Sequence, residues 1–125
     1  MDSLLYDINR ILGQYTSNVN MVMQSTFDIT ARDTVKKLKA ESARVHGDGP
    51  YAKNWTYKKG RGEDIIYNKA PTYRLTHLLE NGHDIVRNGE KIGEYEPGEK
   101  HIQPVEEWLK DELPKRLEEA LGHVD

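Results

Sequence analysis

The sequence predicts one α+β domain: a small antiparallel sheet of about four strands, packed by a long N-terminal helix, a short central helix and a C-terminal helix. Three observations predict it: a helical stripe of apolar residues over the first forty positions, two segments rich in aromatic and β-branched residues around Gly-containing connectors, and a final apolar run. The expected parts are a helical region over 1–46, a sheet with a short helix over 51–103, and a helix over 104–122. At 125 residues the chain is long enough for a single core.

Composition excludes several classes of protein. There are 0 cysteines, so neither a disulfide framework nor a thiolate site is expected, and a reducing interior is the expected setting. The start lacks the basic and apolar pattern of a signal peptide, and no run approaches a membrane span. A net charge of -3 argues against a dedicated nucleic-acid binder, because phosphate contacts usually demand a basic excess.

The N-terminal region carries the strongest periodic signal. Apolar residues recur at helical steps from position 5 to position 38. A helix from about 2 to 38 would be about 50 Å long, more than a domain of this size covers, so part of its stripe is expected to meet another chain. The interface candidates are Leu5, Ile8, Leu12, Tyr15, Val19 and Val22. Gly13 and the polar residues 16–18 and 20 favour a kink, and the alternative to a partner is two helices folded back on each other.

The middle of the chain predicts turns and a hairpin. The turn residues 46–50 end the first helix. Strands containing Trp55 and Tyr57, and then 65–67, flank a Gly-containing connector, which is typical of a β-hairpin. Lys58, Lys59 and Arg61 at its tip would be the phosphate contacts of a nucleic-acid binder, although charged hairpin tips more often serve solubility.

A short buried helix is predicted next. Leu75, Leu78 and Leu79 share one helical face, Thr72 is a candidate N-cap, and Asn81-Gly82 supplies an abrupt end. His77, Glu80 and His83 cluster there. We expect His77 to form hydrogen bonds near the core and His83 to bond to the following loop.

The C-terminal third predicts a second hairpin and a helix. Asn88-Gly89 is the turn most favoured between paired strands, and 94–100 is expected to be a mobile loop. Pro104 suits the first turn of the last helix and Gly122 its end. Pro114 should kink or interrupt this helix.

No reading of these residues as an enzyme finds strong support. A metal site would recruit His77, Glu80, His83 and His101, but only the first two have ligand spacing on one helical face. None of the serines lies at a strand-to-helix elbow, the Gly-rich turns at 47–49 and 60–62 do not match phosphate loops, and the paired carboxylates lie on a helix, where a solvated face is expected. We therefore expect no catalytic residue, no cofactor and no bound metal.

The order of parts resembles the tail-completion, or head-to-tail joining, proteins of long-tailed bacteriophages, often labelled minor tail components. The segment Gly49-Pro50-Tyr51-Ala52-Lys53-Asn54-Trp55 is similar to the family's Thr-Gly-x-Tyr-Ala-x-Ser/Gly-Trp, and the unit from Tyr73 to His83 resembles its Leu-x-His-Leu-Leu-Glu-x-Gly-His signature. His101-Ile102-Gln103-Pro104 precedes the closing helix, as in the family. The residues that carry the resemblance are Tyr51, Trp55, Tyr73, Leu75, His77, Leu78, Leu79, Glu80, Gly82, His83, His101 and Pro104.

The resemblance implies a structural virion protein without catalysis. It implies a homo-oligomeric ring, a hexamer when assembled, at the head-proximal end of the tail, which bridges the tail tube and terminator proteins to the head connector. DNA would pass through its lumen without specific binding, and no membrane is involved. The expected location is the virion neck, and the host cytoplasm during assembly. A dimeric nucleic-acid-binding regulator and a metal-dependent enzyme are the alternatives.

Overall fold

A computed structural model describes residues 3–60, 64–81, 83–87, 90–96 and 98–123, with only the backbone described at 83–87 and 90–96. In chain order the elements are helix α1 (Ser3–His46), helix α2 (Pro50–Lys53), strands β1 (Trp55–Lys59) and β2 (Asp64–Asn68), a 3₁₀ helix (Thr72–Leu75), helix α3 (Thr76–Asn81), strands β3 (His83–Arg87) and β4 (Glu90–Glu96), and helix α4 (Gln103–Leu121). The architecture is mostly helical, with a small antiparallel component. The α+β class is therefore confirmed at this coarse level.

The predicted single sheet of about four strands is wrong. β1 pairs only with β2, from Trp55 opposite Asn68 to Lys59 opposite Asp64, and β3 pairs with β4 in a separate two-stranded sheet. The 3₁₀ helix and α3 lie between the two hairpins along the chain, and the 3₁₀ helix packs beside β2. The second hairpin consequently does not extend the first sheet.

Helix α1 is one continuous helix of 44 residues, or about 66 Å at 1.5 Å per residue. Helix α1 has no break near Gly13, and the alternative of two helices folded back on each other is wrong. Local bonds satisfy polar side chains along the helix: Gln14 donates to Asn18 at 3.1 Å, and the Thr26 hydroxyl donates to the Val22 carbonyl at 2.9 Å. Two polar side chains of this region thus bond to groups one turn away along the helix.

The core lies around the C-terminal half of α1. Its buried apolar members are Val35, Leu38, Tyr51, Trp55 and Val105, and Tyr57, Ile66, Leu79 and Ile102 pack against them. These residues come from α1, α2, the first hairpin, α3 and the start of α4. Short α2 was not predicted; it places Tyr51 and Ala52 inward, directly after the turn that ends α1.

Helix α4 packs along α1. Arg116 binds Asp33 at 2.8 Å, and Lys37 and Arg116 lie over the Trp108 ring, with centroid distances of 4.6 and 5.4 Å. The predicted interruption at Pro114 is wrong, since α4 continues to Leu121. Pro114 is exposed, so its ring lies away from α1. The helix begins with Pro104 in its first turn and ends before Gly122, as predicted.

Two further expectations fail near the second hairpin. Strand β4 runs to Glu96, so the first three residues of the segment predicted as a mobile loop over 94–100 belong to a strand. Thr72 does not cap a helix: its hydroxyl instead donates to Asn68 Oδ1 at 2.6 Å. None of the helices in the described ranges has the length and apolar character needed to cross a membrane.

Candidate assembly site

Three residues of the sequence motif, Tyr51, Glu80 and His101, meet at one buried polar network. Glu80, at the end of α3, is 9% exposed, and His101, just before α4, is 0% exposed. The backbone N–H groups of His101, Ile102 and Gln103 donate to the Glu80 carboxylate at 2.7, 2.9 and 3.1 Å. Glu80 therefore caps the start of α4, where unpaired N–H groups and the helix dipole favour an anion.

The His101 imidazole links the same carboxylate to two other elements. Its Nδ1 lies 2.9 Å from Glu80 Oε1 and 3.1 Å from the Glu99 carbonyl, and its Nε2 lies 2.6 Å from the Tyr51 hydroxyl. The Glu80 and Glu99 oxygens accept, so the neutral ring with its proton on Nδ1 satisfies both sides, and the Tyr51 hydroxyl donates to Nε2. His46, the last residue of α1, lies 3.1 Å from Nδ1. Four segments thus converge on one imidazole.

Electrostatics favour this arrangement of protons. Burial lowers the pKa of His101, and the carbonyl of Glu99 and the charge of Glu80 only partly oppose it. Burial raises the pKa of Glu80, but the three backbone donors outweigh it, so the net pKa falls below its ordinary value. Burial also raises the pKa of Tyr51. The network is therefore a carboxylate, a neutral imidazole and a protonated phenol.

A second set of bonds holds Trp55 and the backbone of Tyr51. Trp55 Nε1 donates to the Ser42 hydroxyl at 2.8 Å, which joins β1 to α1. The Asn68 amide donates to the Tyr51 carbonyl at 2.9 Å, and Asn54 donates to the Thr72 hydroxyl at 2.8 Å. Ser42 and Asn68 were missed by sequence reasoning. Their partners Trp55 and Tyr51 lie 13 and 17 residues away along the chain, so no short spacing indicates these bonds.

The three leucines of the central unit do not form a buried face, and the expectation of a short buried helix is wrong. Leu79 packs against the core, while Tyr73, Leu75 and Leu78 are exposed. His77 is exposed as well, with Nδ1 3.0 Å from the Asn81 amide, so its predicted position near the core is also wrong. Residue Gly82 and the side chain of His83 lie outside the described residues. Among the described side chains of this unit, Glu80 is the buried one. Its oxygens accept hydrogen bonds from three backbone N–H groups at the start of α4.

The metal hypothesis gains nothing from this geometry. Glu80 is occupied by three backbone donors and His101, and His77 is exposed on α3. Among the side chains that the structure describes, no three His, Cys, Asp or Glu residues converge as ligands.

The hairpin tip is also engaged within the chain. Lys59 binds Asp28 of α1 at 2.6 Å, and Lys58 lies 5.6 Å from the centre of the Tyr67 ring. Arg32 of α1 donates to the Tyr57 hydroxyl at 3.0 Å. Arg61 lies outside the described residues. Lys59 thus serves to attach the hairpin to α1.

Among the described residues, most of the large apolar side chains that remain exposed lie on the N-terminal half of α1. Leu5, Ile8, Leu12 and Tyr15 are between 45% and 59% exposed, and Val19 and Val22 are partly buried. Helix α4 lies beside α1 at Asp33 and Lys37, and its C-terminal end comes close to Thr26 and Ile29. We call residues Leu5 to Ile29 the free half of α1.

Comparisons with protein-family models, with curated proteins and with solved structures find no match for this chain.

Proposed function

We propose that this chain is a structural protein of a bacteriophage or prophage, which completes the tail and joins it to the head. The observation that carries the proposal is the free half of α1, an apolar helical surface that the domain does not cover. Apolar surface of this extent on a folded domain is typical of an interaction site. A protein with this surface and with its polar network sealed inside is suited to assembly.

The sequence resemblance supplies the kind of assembly. Under this proposal copies of the chain form a ring, a hexamer, at the head-proximal end of the tail, between the tail-tube and terminator proteins and the head connector. Repeated contacts close into a ring when the rotation between subunits divides a full turn. Its place is the virion neck, after assembly in the host cytoplasm.

The geometry supports a role in which the motif maintains the fold. Glu80, His101 and Tyr51 hold the start of α4, the end of α3 and α2 together, and a fully buried imidazole offers no access to a substrate. The motif residues then preserve the shape of the subunit, and the exposed surface of α1 provides its contacts. The net charge of -3 suits a ring through which DNA passes without being retained.

The proposal is tested by removing the chain from the phage or prophage that encodes it. Electron microscopy is expected to show complete tails and DNA-filled heads that remain separate, with a loss of infectious particles. A variant of Ser17, which is exposed on α1, is the matched control and should restore joining. Joined, infectious particles in the absence of the chain would overturn the proposal.

A further inference from the structure

Exposed and partly buried residues of the free half follow a seven-residue repeat. Counting from Leu5, apolar or β-branched side chains occupy eight successive positions at alternating steps of three and four. These are Leu5, Ile8, Leu12, Tyr15, Val19, Val22, Thr26 and Ile29. We call this set the seam. A strict seven-residue repeat keeps side chains on one line only if helices coil around each other, so a seam of this kind fits another helix.

The helix carrying the seam has a long uncharged stretch. From Ile11 to Phe27 there is no Asp, Glu, Lys, Arg or His. The positions that flank the seam are Asn9, Ile11, Thr16, Asn18, Met23 and Ser25. Solvated helix faces normally carry charges, and flanking charges usually select a partner in coiled coils. Because these flanking positions carry no charge, they do not repel the same helix of a second copy. A neighbouring copy can therefore cover either side of the seam.

The size of the seam suits a protein interface. From Leu5 to Ile29 it is about 36 Å long at 1.5 Å per residue. One side of a helix, taken as half the surface of a cylinder about 12 Å in diameter over that length, has an area on the order of 700 Å², close to the roughly 800 Å² a side of a standard interface. The partner must therefore offer a helix of similar length. Among the described elements of this chain, only α1 has both that length and an exposed seam.

We propose that the free halves of adjacent copies pack against each other along their seams, parallel and in register. The occupant of the seam is thus the same half-helix of a second copy. The parallel direction rests on the proposed function, because a closed ring with distinct head and tail faces has all copies pointing the same way.

Engineered cysteines test the direction and register, since the chain has 0 of its own. In the purified full chain, Leu5→Cys places one thiol at the tip of the seam, and a short bismaleimide is expected to link two copies. Ser17→Cys is the matched control: it is exposed on the same helix outside the seam and should stay unlinked. Linkage only in a mixture of Leu5→Cys with Ile29→Cys means an antiparallel contact along the seam and overturns the inference.

Charge placed on the seam tests its energetic role. Leu12→Asp puts an ionised group where the neighbour packs, so self-association measured by sedimentation should weaken about tenfold or more. Ser17→Asp should leave it unchanged, and circular dichroism should show equal helix content in both variants, because both positions are exposed in the single chain.

The failure of this inference differs from failure of the proposed function. The seam contact is overturned if the protein is monomeric at every concentration, or if Leu12→Asp and Ser17→Asp associate equally. In either case tails made without the chain could still fail to join heads, so the proposed function would survive. Joined particles without the chain overturn the function while seam-dependent association can persist.

Discussion

The two halves of α1 share one helix but have opposite surroundings. In the C-terminal half, Ala31, Thr34, Val35 and Leu38 are buried beneath other elements. In the N-terminal half, Leu5 and Leu12 remain half exposed or more, although they are as apolar as the buried residues. The difference teaches that apolar periodicity alone does not identify a core. It identifies a face to be covered, and the rest of the fold decides whether this chain or another covers it.

The largest expected effect separates the halves by stability. Trp55→Ala removes a buried ring and the bond to Ser42, so unfolding in denaturant should lose about 3–5 kcal/mol. Tyr15→Ala, in the free half, is the matched aromatic control and should change the unfolding free energy little in dilute protein. Equal losses for the two variants would contradict the comparison.

The next effect concerns the cap of α4. Glu80→Ala leaves three backbone N–H groups without their acceptor, which should cost about 1–3 kcal/mol of unfolding free energy. Asp7→Ala removes a carboxylate from the exposed part of α1 and should cost far less. Amide exchange is the more local measurement: the N–H groups of Ile102 and Gln103 should lose protection in Glu80→Ala alone. Unchanged protection would contradict the capping role.

A pH effect should arise from His101. Its pKa is lowered in the folded protein, so the unfolded chain binds the proton first, near the ordinary value of 6.5. Stability should be fully present above that pH, and should fall as pH decreases from there until the folded imidazole itself is protonated. His101→Gln should flatten the decline in unfolding free energy between pH 7 and 5, whereas His77→Gln, at an exposed position, should not. A wild-type unfolding free energy that increases as the pH is lowered from 7 to 5 would refute the assignment.

The smallest effect is expected at the contact between α4 and α1. Arg116 binds Asp33 and Glu112 and lies over Trp108, but it is partly exposed, so Arg116→Met should cost no more than about 1 kcal/mol. Arg10→Met in the free half is the matched control and should have no measurable effect. The loss should shrink in high salt, and a loss unaffected by salt would indicate packing as its source.

The sequence predicted the elements better than their relations. The first hairpin, the helix start at Pro104 and its end before Gly122 follow from local chemistry that acts within a few residues. The single sheet failed because strand pairing depends on where the segment between the hairpins packs. Gly13 and Pro114 lie inside continuous helices, so the propensity of a single residue did not decide where these helices end.

The candidate site divides in the same way. The surplus apolar face of α1 was predictable from its spacing, and the structure leaves that face uncovered. The partners of Glu80 were not predictable, because His101 lies 21 residues away along the chain and the bonds come from backbone groups. The prediction that His77 lies near the core was wrong for the same reason. On a short helix, local spacing does not show which side another element will pack against.

The uninterrupted course of α1 has a mechanical consequence. A rod without proline or loop between Ser3 and His46 has no joint at which bending would be relieved. A displacement of its N-terminal end should therefore be transmitted to its last residue, His46, whose Nε2 lies 3.1 Å from Nδ1 of His101.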